Sequence, residues 1–103
     1  MYGKILNLKF ANMEEAKLAA SFFTENIASK ISALKIVGFN VFIGQQGDMN
    51  VLIKFESVNA VKVFEGKYPD IIKSLRRSLV FKETVFVGVC AFTFEQEAAL
   101  TEG

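Results

Sequence analysis

Three asparagines and two glycines stand among large apolar side chains in a pattern that suits small-molecule recognition. Asn7, Asn40 and Asn50 alternate with apolar neighbours, and Gly38 and Gly88 stand beside Phe42, Phe86 and Phe92. An amide supplies a donor and an acceptor without charge, so amides in an apolar wall orient a ligand while the rings enclose its carbon skeleton. Glycines beside large rings predict a recess rather than a flat plug. The expected ligand-binding set is Asn7, Gly38, Asn40, Phe42, Leu52, Phe86, Gly88, Cys90 and Phe92. A second reading stays open, in which these residues form only a contact between subunits and the asparagines bond to backbone or water. Cys90 by itself reads as an inert small hydrophobe, because no neighbour in sequence would hold its thiolate.

Much other chemistry is excluded by composition. The 103 residues contain no histidine, which removes His-based triads and metal centres. No pair among the 11 carboxylates is spaced for acid–base work, so no catalytic residue, metal or cofactor is expected. One cysteine cannot close an intrachain disulfide, and the opening residues run into alternation rather than a signal-peptide block, so a reducing cytoplasm is the expected location. A net charge of +1 gives no electrostatic reason to bind nucleic acid. The uncharged stretch from Thr84 to Phe94 is too short for a membrane helix, which needs roughly 18 or more apolar residues.

The elements that must position the candidate residues follow from hydrophobic periodicity. Leu6, Leu8 and Phe10 alternate with Ile5, Asn7 and Lys9, a strand pattern. Asn12 with Glu15 three positions on resembles a capping box, and Ala16, Ala19, Phe23, Ile27, Ile31 and Leu34 then recur at helical spacing, predicting a helix over 13–32. Two alternating runs, Val37–Ile43 and Met49–Phe55, flank Gly44-Gln45-Gln46-Gly47-Asp48 and predict a hairpin. Ser57 is placed to cap a second helix, which Pro69 is expected to divide into two pieces near Lys67. Thr84 to Phe94 reads as a last strand, apolar on both faces.

The order strand, helix, strand, strand, helix, strand predicts an α+β fold of the ferredoxin-like, split βαβ kind: a four-stranded antiparallel sheet with both helices on one face. Residues 1–96 form this one domain and 97–103 a polar tail. Leu6, Leu8, Phe10, Val37, Phe39, Val41, Ile43, Val51, Ile53, Phe55, Val85, Val87 and Val89 are expected to face the helices. Ile5, Phe42, Leu52, Phe86, Cys90, Phe92 and Phe94 then point to the side no helix covers. Burying such a patch is worth on the order of 10 kcal/mol gross, so a homodimer is expected.

In element order, length and doubly apolar last strand, the stretch from Tyr2 to Phe94 resembles the dimeric α+β barrels typified by the antibiotic biosynthesis monooxygenases. The resemblance implies two sheets facing each other across a barrel, with an apolar or amphipathic small molecule, such as a fatty-acyl or polyketide-like compound, between helices and sheet or inside the barrel. It implies cofactor-independent oxygenation with Asn and aromatic side chains, haem degradation, decomposition of small aromatics, or no known chemistry, while the exposed sheet face itself leaves open ligand binding or a non-catalytic assembly or regulatory role. Haem-degrading relatives use an Asn on the first strand with a Trp and a His. Asn7 stands comparably, but the sequence has neither Trp nor His.

Other signals are weaker. The same element order occurs in RNA-recognition motifs, yet Asn50, Leu52 and Leu6 stand where bases would need rings. Gly44-Gln45-Gln46-Gly47 joins two strands, so it reads as a turn and not as the helix-joining GxxG loop of another RNA-binding module. Lys67, Lys73, Arg76, Arg77 and Lys82 read as a solvated face, with Arg76 or Arg77 a candidate partner for a ligand carboxylate.

Overall fold

Period-two alternation produces four strands and two capped helices in the computed structural model, which describes residues 1–96. The chain runs β1 (Tyr2–Lys9), α1 (Met13–Ala28), β2 (Ile36–Ile43), β3 (Asp48–Phe55), α2 (Val58–Arg76) and β4 (Lys82–Val89). All strand pairs are antiparallel, in the spatial order β2-β3-β1-β4. Non-consecutive strands pair at the centre because each helix carries the chain over the sheet, the mark of the split βαβ arrangement. The expected fold class is the observed one; the polar tail 97–103 lies outside the described residues.

Side chains start both helices. Asn12 Oδ1 accepts from the Glu15 amide at 2.9 Å, and Ser57 Oγ from the Ala60 amide at 3.1 Å, so each cap satisfies a donor the first turn leaves free. Between sheet and helices lie Leu6, Leu8, Met49, Val51, Ile53 and Phe55 from the strands and Phe23, Ile27, Phe64 and Leu75 from the helices.

Four expectations change. Helix α1 stops at Ala28, four residues early, because the Ser29 amide turns to the Ile27 carbonyl and the chain then descends through turns to Lys35, whose φ is 56°. Leu34 is nonetheless buried and Ile31 packs on the core. Helix α2 is not divided: Pro69, Gly66 and Glu65 are all exposed, so the lost amide and the crowded carbonyl one turn back face water while the buried stripe runs on unbroken. Val37 is exposed because the register shifts between Ile36 and Gly38, and Ile36 is buried instead. The last strand ends at Val89, opposite Tyr2 where the β1 ladder begins, and the Cys90 amide beyond it reaches the Met1 carbonyl at 2.8 Å. Val85, Val87 and Val89 lie on the helix side of β4 as expected, yet they remain exposed because β4 is the outermost strand.

Candidate functional site

The helix-free face of the sheet is a grid whose rows follow from register, since residues paired across antiparallel strands share a face. From β2 to β4 the first row reads Gly38, Lys54, Gly3, Gly88 and the second Asn40, Leu52, Ile5, Phe86. The third reads Phe42, Asn50, Asn7, Thr84, and beyond it lie Asp48, Lys9 and Lys82. Seven of the nine expected site residues, Asn7, Gly38, Asn40, Phe42, Leu52, Phe86 and Gly88, therefore share this face. Cys90 lies one residue past β4, and Phe92 lies farther on, exposed and outside any strand.

The face divides into a polar end and an apolar end. At the polar end Asn7 Nδ2 donates to Asn50 Oδ1 at 2.9 Å, and Lys9 Nζ stands 2.7 Å from Asp48 and 3.0 Å from the Gln46 carbonyl. At the apolar end a recess of about 190 Å³ is lined by Gly3, Ile5, Leu52, Lys54, Phe86 and Gly88, and by Met1, Tyr2, Val89 and Cys90 at the strand ends. Leu52, Phe86, Gly88 and Cys90 of the expected set meet there; Asn7, Gly38, Asn40, Phe42 and Phe92 do not line it.

The glycines work differently from the expectation that Gly38 and Gly88 leave space beside the rings. A Cβ on Gly88 would stand 2.9 Å from Phe86 Cε2, so the Phe86 ring itself lies over Gly88. A Cβ on Gly38 would stand 3.1 Å from Lys54 Cδ, so the aliphatic stem of Lys54 fills that place. The open floor is at Gly3, where the nearest side-chain atom to such a Cβ is Leu52 Cδ1 at 3.9 Å. Gly3 and Lys54 escaped the sequence reading; their signal is pairing, because Gly3 faces both Lys54 and Gly88.

A second polar cluster lies on the opposite face, under α2. Lys4 shares the parity of Leu6 and Leu8 and is only 4% exposed. Its ammonium reaches Glu65 at 3.2 Å and stands 5.2 Å from the centroid of the Tyr68 ring. Tyr68 donates its phenolic O–H to Glu83 Oε2. Burial, reinforced by the hydrogen bond to Glu83, pushes the Tyr68 phenol far above its ordinary value, so it stays protonated. Arg76 Nη2 lies 3.3 Å from Glu83 Oε1, and Nη1 donates to the Phe81 carbonyl at 3.1 Å. Arg76 is thus engaged within the chain, and Arg77 is the exposed C-cap of α2. The cluster clamps α2 to β1 and β4. Among the described residues no group of three or more Asp, Glu, Cys or His side chains could hold a metal ion, and no helix is long and apolar enough to cross a membrane.

No family model and no curated protein matches the sequence. Solved structures are similar in fold. A dimeric ferredoxin-like protein from an uncultured marine organism superposes with a TM-score of 0.68 at 16% identity, over 93% of this chain and 100% of that one. A candidate antibiotic biosynthesis monooxygenase from Deinococcus radiodurans gives a TM-score of 0.68 at 14% identity, over the same shares of the two chains. A de novo designed protein with a ferredoxin fold also superposes, with a TM-score of 0.54 at 11% identity over 99% of this chain and 97% of the other. A backbone shared by a designed chain and by natural proteins specifies no activity, so function must be argued from the site. The chain has the ferredoxin-like α+β fold of these proteins, and the resemblance to the antibiotic biosynthesis monooxygenases holds at the level of that fold.

Proposed function

We propose that the protein is a cytoplasmic homodimer whose two sheets face each other and enclose an apolar or amphipathic small molecule, with no metal or cofactor and no nucleic-acid partner. The observation that carries this reading is the exposure of the helix-free face: Phe86 is 62% exposed beside Ile5 and the recess, and Phe42 is 60% exposed on the opposite edge strand. Contiguous apolar surface of this kind marks a partner or ligand site. The patch continues around the edge of the sheet, where Val85 and Val87 are exposed on the other side of β4, and an apolar edge strand is a surface that proteins normally protect. A recess of about 190 Å³ is smaller than the roughly 300–1,000 Å³ of usual ligand sites, which fits one wall of a chamber completed by a second copy. Native mass spectrometry of protein purified from cells tests the reading. A dimer carrying an exchangeable small molecule is the expected result; a monomer, or a dimer with no ligand and no interior cavity, overturns it.

Cofactor-independent oxygenation is the second reading, favoured by the amides that the Asn7–Asn50 pair places beside the apolar end of the face. Oxygen uptake with an anthrone- or quinol-type substrate, lost in Asn7→Ala, supports it. Inertness across such a panel leaves ligand binding or a non-catalytic assembly role.

A further inference from the structure

Among the described residues, Lys54 is the one charged side chain in the lining of an otherwise apolar recess. Its stem is held flat over Gly38, and its side chain is 22% exposed. The ammonium is met at 3.0 Å by Glu95 Oε2, a carboxylate beyond the last strand whose own side chain is 71% exposed. An apolar recess with a cation at its margin and an acidic group already seated on that cation has the polarity of a site for an acid with a hydrocarbon body. The carboxylate on Lys54 belongs to a water-exposed side chain, and ion pairs with so exposed a partner contribute little, so another carboxylate can take its place.

We infer that the ligand is an anionic amphiphile of the carboxylic acid class. Its head is held by Lys54 in exchange for Glu95, and its carbon chain lies over Gly3 and Gly88 against Ile5, Leu52 and Phe86. The inference rests on the ligand-binding reading above and adds to it the charge of the ligand and the residue that reads it. At roughly 30 Å³ for a group the size of a water molecule, one recess of about 190 Å³ has room for about six such groups. Octanoate, with ten non-hydrogen atoms, therefore outgrows one protomer's half and needs the chamber that a second copy completes. Exchange of Glu95 for the ligand head keeps the number of charges on Lys54 constant, so the amine is never left without a partner beside the apolar wall.

Titration calorimetry of the full chain with octanoate and with 1-octanol tests this. The two probes share a chain and differ in charge. In the unaltered protein octanoate is expected to bind at least about tenfold tighter than octanol, the size of effect typical of a charge-assisted pair. Lys54→Met keeps the stem over Gly38 and removes the charge; it should abolish that preference by weakening octanoate to the affinity of octanol, and a circular dichroism spectrum matching that of the unaltered protein shows that the variant is folded. Glu95→Gln removes the competing carboxylate and should tighten octanoate several-fold without affecting octanol. Equal binding of the two probes to the unaltered protein, a preference that survives Lys54→Met, or no effect of Glu95→Gln on octanoate each overturns the assignment of Lys54 while leaving the chamber intact. Binding of neither probe overturns the chamber reading and this inference with it.

Discussion

Tyr68 and Glu83, fifteen residues apart in the chain, are joined by a hydrogen bond from phenol to carboxylate that ties α2 to the outermost strand β4. Among the described residues few other groups hold β4 from the helix side, where Val85 and Val87 remain exposed. The bond therefore matters more than its place in a small sheet suggests, and it has a signature in pH.

Burial and the Glu83 carboxylate raise the Tyr68 phenol above its ordinary value of 10.0, so the folded state keeps a proton that the unfolded state releases. Where the folded protein binds more protons than the unfolded chain, stability falls as pH rises. The contribution is fully present below about pH 10 and is lost progressively above it. Urea unfolding at pH 8 and at pH 11 is expected to show a larger loss for the unaltered protein than for Tyr68→Phe. The variant itself should be less stable at pH 8 by about 1.5–3 kcal/mol, the cost of a lost hydrogen bond to a charged group. Equal pH dependence in the two proteins contradicts the clamp.

Lys4 and Glu65 are unequal partners, and the inequality predicts opposite results from their removal. Lys4 is buried against the rings of Phe64 and Tyr68, whereas Glu65 is half exposed. Glu65→Ala leaves a buried ammonium without its carboxylate and should destabilise by about 1–3 kcal/mol. Lys4→Met fills the same space without charge and lets Glu65 turn to water, so it should be neutral or stabilising. Thermal unfolding of the two variants side by side decides the point.

Gly47 shows how tightly the hairpin fits the rest of the fold. Its φ is 97°, a left-handed value, and a Cβ there would stand 2.6 Å from the Phe10 carbonyl oxygen. Its own carbonyl accepts from the Phe10 amide at 2.9 Å, so the turn is bonded to the end of β1. Gly47→Ala adds backbone strain of about 1–3 kcal/mol and a clash with backbone that has no flexible end to give way. A loss of at least that size is expected in chemical denaturation. Gly66→Ala is the control: it meets open space on the exposed side of α2 and should be neutral or stabilise by up to about 1 kcal/mol.

Alternation and capping residues made the fold legible because both are local. Asn12 and Ser57 mark the helix starts from within three residues of each, and the parity of Leu6 and Leu8 against Ile5 and Asn7 assigns the two faces of β1. What stayed hidden depends on partners far away in sequence. Lys4 has the parity of the core, yet a lysine there makes sense only once Glu65 and Tyr68 are brought over it. The faces of Gly38 and Gly88 follow from alternation, but what fills the space above them is decided by the side chains of Lys54 and Phe86. Pro69 breaks a helix only where the lost bond is buried, and burial is not written in the local sequence. Cys90 and Phe92 continue an apolar run beyond the point where the β1 ladder begins, so composition extends the strand and pairing stops it.

Phe86 and Leu18 are matched in exposure, at 62% and 63%, but lie on opposite sides of the molecule, Phe86 on the helix-free face and Leu18 on α1. If two copies join through the sheet, replacing each of these by lysine separates interface from mere surface. In a twofold contact each substitution acts twice, and losing roughly 1.5–3 kcal/mol per buried ring predicts about 3–6 kcal/mol, or some 10²- to 10⁴-fold in dimer dissociation constant. Phe86→Lys is therefore expected to run as a monomer in light scattering at micromolar concentration, with its fold retained because the side chain contributes little to the core of its own subunit. Leu18→Lys should remain a dimer. A dimeric Phe86→Lys would remove the helix-free face from the interface and with it the shared chamber.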